Sequence, residues 1–344
     1  MKRHINIPIF IPHLGCPNQC TFCNQRSISG ITEFDEDSVA LTIDEALSTI
    51  SPGTDAEIAF FGGSFTGIDR GLMNRLLRTA KGYIARGLVS SVRCSTRPDY
   101  IDEEVLGILR ENGVKTIELG LQSISDDVLC ACKRGHTATD AERACRMIVD
   151  NGFDLVGQMM IGLPGATIES ECETASFICK MGAVGARIYP TIVFRGTELA
   201  ESVACGDYQS LQLEDAVERS AAVFDIFARN NVKVIRIGLC DSENLHSDET
   251  YLCGPNHPAM GELVESRVFY RYIRSAFTEA GYNKESKYVV SVAPGALSKA
   301  IGHKKINYER LTLELGLAHV KFCENDSLSG YELLINEERN KKCI

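Results

Sequence analysis

Cys16, Cys20 and Cys23 are the residues best placed to do chemistry in this 344-residue chain. They stand in the run His13-Leu14-Gly15-Cys16-Pro17-Asn18-Gln19-Cys20-Thr21-Phe22-Cys23-Asn24, spaced C-x3-C-x2-C, directly after the apolar run from Ile5 to Pro12. Three thiolates this close can hold three corners of a four-iron four-sulfur (4Fe–4S) cluster. The fourth iron then has no protein ligand and is open to chelate a substrate. A zinc site is the rival reading. Zinc sites close with four ligands, often in C-x2-C pairs, and His13 is the one plausible fourth ligand nearby.

The elements around this loop form a pattern. Apolar, β-rich runs at Asn6–Ile11, Glu57–Phe61, Ser91–Ser95, Thr116–Leu121, Asp154–Ile161, Gly185–Thr191 and Lys233–Ile237 read as strands. Amphipathic stretches such as Gly71–Arg86, Glu103–Asn112, Thr139–Asn151 and Ile168–Met181 read as helices between them. Alternating βα units predict an α/β fold, a partial or complete TIM-like barrel of parallel strands with helices outside. Chemistry in such barrels sits at the C-terminal ends of the strands. The expected strand ends are polar or glycine-rich: the cysteine loop, Phe60-Phe61-Gly62-Gly63-Ser64-Phe65-Thr66, Cys94-Ser95-Thr96-Arg97-Pro98-Asp99, Glu118-Leu119-Gly120-Leu121-Gln122-Ser123, Gln158-Met159-Met160-Ile161-Gly162-Leu163-Pro164-Gly165 and Arg187-Ile188-Tyr189-Pro190-Thr191.

Composition narrows the class. With 44% hydrophobic residues the chain can bury a substantial core. Its 14 cysteines are scattered, many in apolar segments (Cys94, Cys145, Cys179), where a reduced thiol packs as a small hydrophobe. A reducing compartment is expected, since disulfide scaffolds belong to short secreted chains. Lys2 and Arg3 before an apolar run mimic a signal peptide, but that run is short and no small-residue cleavage site follows. No stretch approaches the roughly 20 apolar residues of a membrane span. A cytoplasmic protein is expected, with no membrane partner. The net charge of −10 argues against a chain that coats nucleic acid with its whole surface.

The ordered set of strand ends, with Lys133-Arg134-Gly135-His136-Thr137, resembles the radical S-adenosylmethionine (SAM) domain of the Elongator catalytic-subunit family over about residues 5–240. It also overlaps oxygen-independent coproporphyrinogen oxidase-like proteins. Two features depart from Elongator subunits: the C-x3-C spacing is shorter than the eukaryotic one, and the residues after the barrel are too few for an acetyltransferase domain. The resemblance implies a 4Fe–4S cluster on Cys16, Cys20 and Cys23, which carry the catalytic role. SAM would bind the open iron through its amino and carboxylate groups, and one electron would cleave it to methionine and a 5′-deoxyadenosyl radical. The Gly62-Gly63-Ser64 turn is then expected to accept hydrogen bonds from SAM's ammonium. Thr96, Gln122 and Arg134 are candidates for its ribose and carboxylate. Gln158 and Gly162 fall where the fifth strand would meet ribose and adenine, and Phe22 is an expected aromatic lid against adenine. An electron donor such as flavodoxin or ferredoxin is implied.

Downstream, Cys253-Gly254-Pro255-Asn256-His257-Pro258 precedes a helical run with Glu262, Glu265 and Arg267. His257 is a weak candidate for facing substrate. Cys240 and Cys253 lack ligand spacing, so no second cluster is expected. After Gly281 the pattern changes. Tyr288–Ala293 reads as a strand, Pro294–Ile301 as a short helix, and Gly302-His303-Lys304-Lys305 as a turn. Ile306–Leu315 then reads as a second helix capped by Gly316, and His319–Cys323 as a second strand. This order resembles the core of a KH domain, which clamps single-stranded RNA with a GXXG loop; here Lys305 replaces the second glycine. Lysine and arginine outnumber glutamate between Lys284 and Cys323, so Gly302, His303, Lys304 and Lys305 are expected to meet RNA phosphates.

The organisation expected is a barrel over residues 1–245, a helical connection over 246–283 and a small KH-like α+β domain over 284–335. The function expected is a radical SAM enzyme that modifies RNA, with tRNA or single-stranded RNA bound through the C-terminal domain. The alternatives are a small-molecule enzyme resembling coproporphyrinogen oxidase, for which Arg97, Arg187 and Arg195 are the available mouth arginines, and a non-catalytic iron–sulfur or RNA-binding module.

Overall fold

A computed structural model of the chain describes residues 4–11, 14–16, 20–24, 34–51, 53–239 and 247–338. His13, Cys240 and the Lys2-Arg3 start lie outside the described residues. The chain divides into two compact units, Met1–Ala216 with Ile226–Asn256, and Val217–Asp225 with His257–Ile344.

The first unit alternates strand and helix as β1 (His4–Ile11), α1 (Ser38–Thr49), β2 (Asp55–Gly62), α2 (Arg70–Ala85), β3 (Ser91–Thr96), α3 (Glu103–Glu111), β4 (Val114–Gln122), α4 (Asp126–Ala131), α5 (Ala138–Asp150), β5 (Asp154–Ile161), α6 (Ile168–Lys180), β6 (Gly185–Pro190), β7 (Val193–Phe194), α7 (Glu198–Cys205), α8 (Leu213–Arg229, shared with the second unit), β8 (Lys233–Ile237) and β9 (Tyr251–Cys253). A seven-stranded sheet runs in the order β1-β2-β3-β4-β5-β6-β8, and every neighbouring pair is parallel. β1 and β8 are its two edges, so the barrel is partial rather than closed. β7 and β9 form a short antiparallel pair of their own.

Local chemistry sets the helix starts. Asp69 and Asp102 accept the Leu72 and Val105 backbone N–H groups at the heads of α2 and α3. Thr137 with Asp140, and Thr167 with Ser170, close reciprocal capping boxes on α5 and α6. On α5 the buried residues are Ala141, Ala144, Cys145 and Ile148, the i, i+3, i+4, i+7 stripe of a helix laid against a sheet. The strands are covered on both faces, so in β2 the residues from Ala56 to Phe60 are all buried.

The barrel interior also carries charge. Glu57, Arg93, Glu118 and Arg187 come from β2, β3, β4 and β6, and all are buried. Arg93 donates to Glu57 at 2.5 Å and to Glu118 at 2.8 Å. Arg187 clamps Glu118 through two bonds of 2.7 and 2.8 Å, and Gln158 of β5 adds a third donor to it at 2.8 Å. Two carboxylates balance two guanidiniums, with every partner in reach, which is the condition for tolerating buried charge.

The second unit centres on α9 (Met260–Ala280), followed by β10 (Lys287–Val292), α10 (Leu297–Ile301), α11 (Ile306–Leu315), β11 (His319–Glu324) and β12 (Leu333–Glu337). Its sheet order is β11-β10-β12, with β10 parallel to β11 and antiparallel to β12. The stretch read as a connection therefore contains this unit's longest helix. Phe269, Ile273 and Phe277 of α9 share one core with Val290, Val292, Leu311 and Leu315. The expected helix at Pro294 begins three residues later, at Leu297. Gly295 is left-handed at φ +78 and makes a turn that a right-handed helix cannot run through.

Candidate functional site

Cys16, Cys20 and Cys23 all line one cleft of about 110 Å³ at the C-terminal ends of the strands, together with Phe22, Gly62, Gly63, Ser64, Ser95, Thr96, Arg97, Gly120, Gln122, Arg134 and Gln158. A second cleft of about 230 Å³ adjoins it. The two share Phe22, Cys23, Gly62, Ser95, Gln122 and Gln158. The walls of the second cleft are largely apolar (Phe10, Phe61, Met160, Ile192, Phe194, Leu239), while Glu118 and Arg187 bring the interior charge layer to its lining.

The cysteine loop is docked by close backbone packing. Gly15 has φ +78, and a Cβ there would lie 2.3 Å from the Ser64 carbonyl oxygen, so only glycine fits beside Cys16. Gly62 has φ +111, and a Cβ on it would press to 2.9 Å on the Ile11 carbonyl of β1. Its neighbour Gly63 donates its N–H to that same carbonyl at 2.9 Å. Further along the loop, Thr21 donates its backbone N–H to Cys132 and accepts from Leu199, and Cys23 donates to Cys20. Phe22 packs on Val128, Cys132 and Leu163.

The expected SAM ligands sit in defined networks. The Ser64 and Thr66 hydroxyls meet Thr96 Oγ1 at 2.9 and 2.5 Å, and Thr66 also donates to the Tyr100 carbonyl. Gln122 ends β4 in a left-handed conformation, φ +66, that non-glycine residues rarely adopt. Gln158 spends its side-chain N–H on Glu118. Arg134 donates to Cys20 Sγ at 3.4 Å and to the Gly120 carbonyl at 2.6 Å. Arg97 forms a two-bond clamp on Asp99 at 2.9 and 3.0 Å and donates to the Arg134 carbonyl. Gly162 stands apart from both clefts: its N–H goes to Glu171 and its carbonyl to Tyr208, each at 2.6 Å. His257 accepts the Ala259 backbone N–H through Nδ1 at the start of α9.

Three residues that line the cysteine cleft each carry a buried polar atom with no protein partner: Gln122 Oε1, Arg97 Nη1 and Arg134 Nε. Buried polar atoms ordinarily find partners. Their presence beside three thiols fits a site completed by a polar cofactor. Burial raises the Cys16 thiol above its ordinary pKa, while the Ser64 backbone and the Arg134 and Arg97 charges pull the other way. Metal binding needs the thiolate, and these groups favour it. No three His, Cys, Asp or Glu side chains among the described residues gather as a single-ion site.

Residues outside the expected set also shape the site. Glu118 is the one charge in the apolar run Thr116–Leu121, a signal that a buried partner exists. Glu171 is buried against the Gly162 turn. His136, next to Arg134, is buried with neither ring nitrogen bonded. Burial, then the Arg134 charge, push its pKa down to about 4, so it is neutral at physiological pH.

The fold is an open parallel barrel with three cysteines at the mouth after β1. Family comparison agrees: residues 10–178 match the radical SAM superfamily, and residues 183–269 match the radical SAM C-terminal domain. The chain belongs to the radical SAM superfamily, whose cofactors are a 4Fe–4S cluster and SAM. It is 34% identical over 130 residues to a tRNA uridine(34) acetyltransferase of Methanocaldococcus infernus, a match covering 36% of this chain and 24% of the relative. It is 33% identical over 135 residues to human Elongator complex protein 3, covering 38% of this chain and 25% of that protein. The matched region is thus about a quarter of each relative's length. The archaeal Methanocaldococcus infernus Elp3 with an N-terminal deletion has the same fold, with a TM-score of 0.63 at 21% identity over 80% of this chain and 64% of that one. No helix among the described residues is long and apolar enough to cross a membrane.

Proposed function

We propose that the chain reductively cleaves SAM and uses the result to modify RNA, with tRNA as the leading substrate. The observation that carries this reading is the convergence of Cys16, Cys20 and Cys23 on a cleft that also holds unpartnered polar atoms of Gln122, Arg97 and Arg134. A bound cluster supplies the single electron that splits SAM into methionine and a 5′-deoxyadenosyl radical, which takes a hydrogen atom from substrate. The protein's residues bind, orient and shield. Gln122 and Arg134 are placed for SAM's ribose and carboxylate, while the Gly62-Gly63-Ser64 turn receives its ammonium. Phe22 covers the adenine, with Gln158 at the shared wall of the two clefts. Gly162 acts from behind, holding the end of β5 through Glu171 and Tyr208.

The RNA half rests on the second unit and on the names of the relatives. The Gly302–Lys305 turn is preformed. Asn307 is 1% exposed and donates its side-chain N–H groups to the Ser266 and Ala300 carbonyls, and Gly302 packs on the Asn307 backbone. His303, Lys304 and Lys305 are exposed on it. We read this βααβ segment as a KH-like RNA module. Lys299 is held by Glu265 at 2.6 Å, whereas Lys304 and Lys305 stand exposed on the turn. The coproporphyrinogen-like alternative is weakened by the same accounting. Arg187 is held by Glu118 and Arg195 by the Asp248 carbonyl, and Arg97 is clamped on Asp99 with only Nη1 unpartnered, so among the described residues these three do not form a ready cluster for a polycarboxylate.

The test is anaerobic. Reconstituted protein should bind about four irons per chain, lose them on Cys16→Ala, Cys20→Ala or Cys23→Ala, and keep them on Cys130→Ala. Reduced protein should form 5′-deoxyadenosine from SAM, faster when tRNA is added. SAM cleavage that ignores tRNA but responds to a cellular small-molecule fraction would overturn the RNA reading. Iron without SAM cleavage would leave a non-catalytic module.

A further inference from the structure

Arg134 touches a proposed cluster ligand directly, and the fold holds it there. It is 8% exposed, and its Nη1 lies 3.4 Å from Cys20 Sγ while Nη2 is anchored 2.6 Å from the Gly120 carbonyl. Two left-handed residues, Lys133 at φ +52 and Gly135 at φ +80, bracket it and set the direction of its side chain. Its backbone N–H is bonded to Leu129 and its carbonyl is gripped by Arg97, itself clamped on Asp99. Among the described residues no carboxylate pairs with Arg134, so its guanidinium charge is shared between the Gly120 carbonyl and the Cys20 sulfur.

A charged N–H donor on a ligating sulfur stabilises the electron-rich state of an iron–sulfur cluster, and such hydrogen bonds are among the levers that set its reduction potential. We infer that Arg134 is a positioning residue that raises the potential of the cluster through its hydrogen bond and charge on Cys20, easing one-electron reduction before SAM is engaged. The inference rests on the cluster reading of Cys16, Cys20 and Cys23. It differs from a role in holding SAM's carboxylate, because it acts in the absence of SAM.

The experiment is a dye-mediated reductive titration of the reconstituted, SAM-free full chain, followed by the electron paramagnetic resonance signal of the reduced cluster. Arg134→Met keeps the length of the side chain and removes both charge and donor. It should make the reduction equilibrium about tenfold less favourable, a negative shift of about 59 mV for one electron. Arg134→Lys keeps the charge but loses the planar fork, and should fall between the two; if Arg134→Met binds no iron, this variant decides alone. Variants with full iron content that titrate with the wild-type potential would overturn the inference, even if they bind SAM more weakly, and would leave Arg134 as a SAM ligand only. A wild-type protein that binds no iron would overturn the cluster reading itself.

Discussion

At the scale of single residues, the most consequential group outside the cysteine loop is Glu118. Burial alone would raise its pKa. Arg187 and Arg93 more than reverse that and hold the carboxyl below its ordinary range. Replacing it by glutamine leaves two buried guanidiniums short of countercharge, and breaking such a group costs on the order of 3 kcal/mol. The pH dependence follows from the depressed value. As pH falls, the unfolded chain takes up this proton first. The stabilisation is complete above the unfolded carboxylate pKa of about 4.3 and is lost as pH falls through the lower folded value. Thermal melts of wild type and Glu118→Gln should therefore differ most near neutral pH and converge in acid. A gap that stays constant down to strongly acidic pH would show that charge pairing is not the source.

At the scale of elements, turns do the positioning. The cluster loop lies where it does because Gly15 and Gly62 allow backbone contacts that any Cβ would block. The Gly302–Lys305 turn reaches its shape differently. Lys304 and Lys305 hold left-handed backbone angles, φ +50 and +64, that glycine would adopt without strain. Lys305, expected at the second glycine position of a GXXG-like loop, holds a glycine-like conformation. A non-glycine residue in this region costs about 1–2 kcal/mol, partly offset by the entropy glycine loses on folding. Lys305→Gly should therefore raise the melting temperature of the protein while lowering its affinity for RNA. A variant that melts lower would mean that the lysine side chain, not its charge, supports the turn.

At the scale of the whole molecule, the two units divide the labour proposed here. On that proposal SAM chemistry would belong to the barrel unit, and phosphate contacts to the second unit. In a chain of net charge −10, the exposed Lys304 and Lys305 would be the local electrostatic handle for the RNA proposed. Lys304→Glu combined with Lys305→Glu should weaken binding to tRNA at least tenfold. It should also reduce the log–log salt slope by about 1.4, at about 0.7 per lost contact on single strands. Iron content and SAM cleavage without RNA should be unchanged. Wild-type binding that is insensitive to salt would remove the turn from the interface.

The amino-acid sequence by itself determined the cysteine spacing, the βα alternation and the strand ends that form the mouth. Each of these is local: thiol spacing, apolar periodicity and capping residues such as Thr137 with Asp140 act over a few residues. Only the tertiary structure decided which polar groups meet. Arg134 and Cys20 are far apart in the chain, and Glu118 and Arg187 stand on strands separated by β5, so their contacts exist only once the parallel sheet sets their register. The same holds for Gly162, whose motif reads as a ligand contact but whose backbone is taken by Glu171 and Tyr208. Spacing shows which side chains can do chemistry, while burial and long-range pairing decide which of them remain open to a ligand.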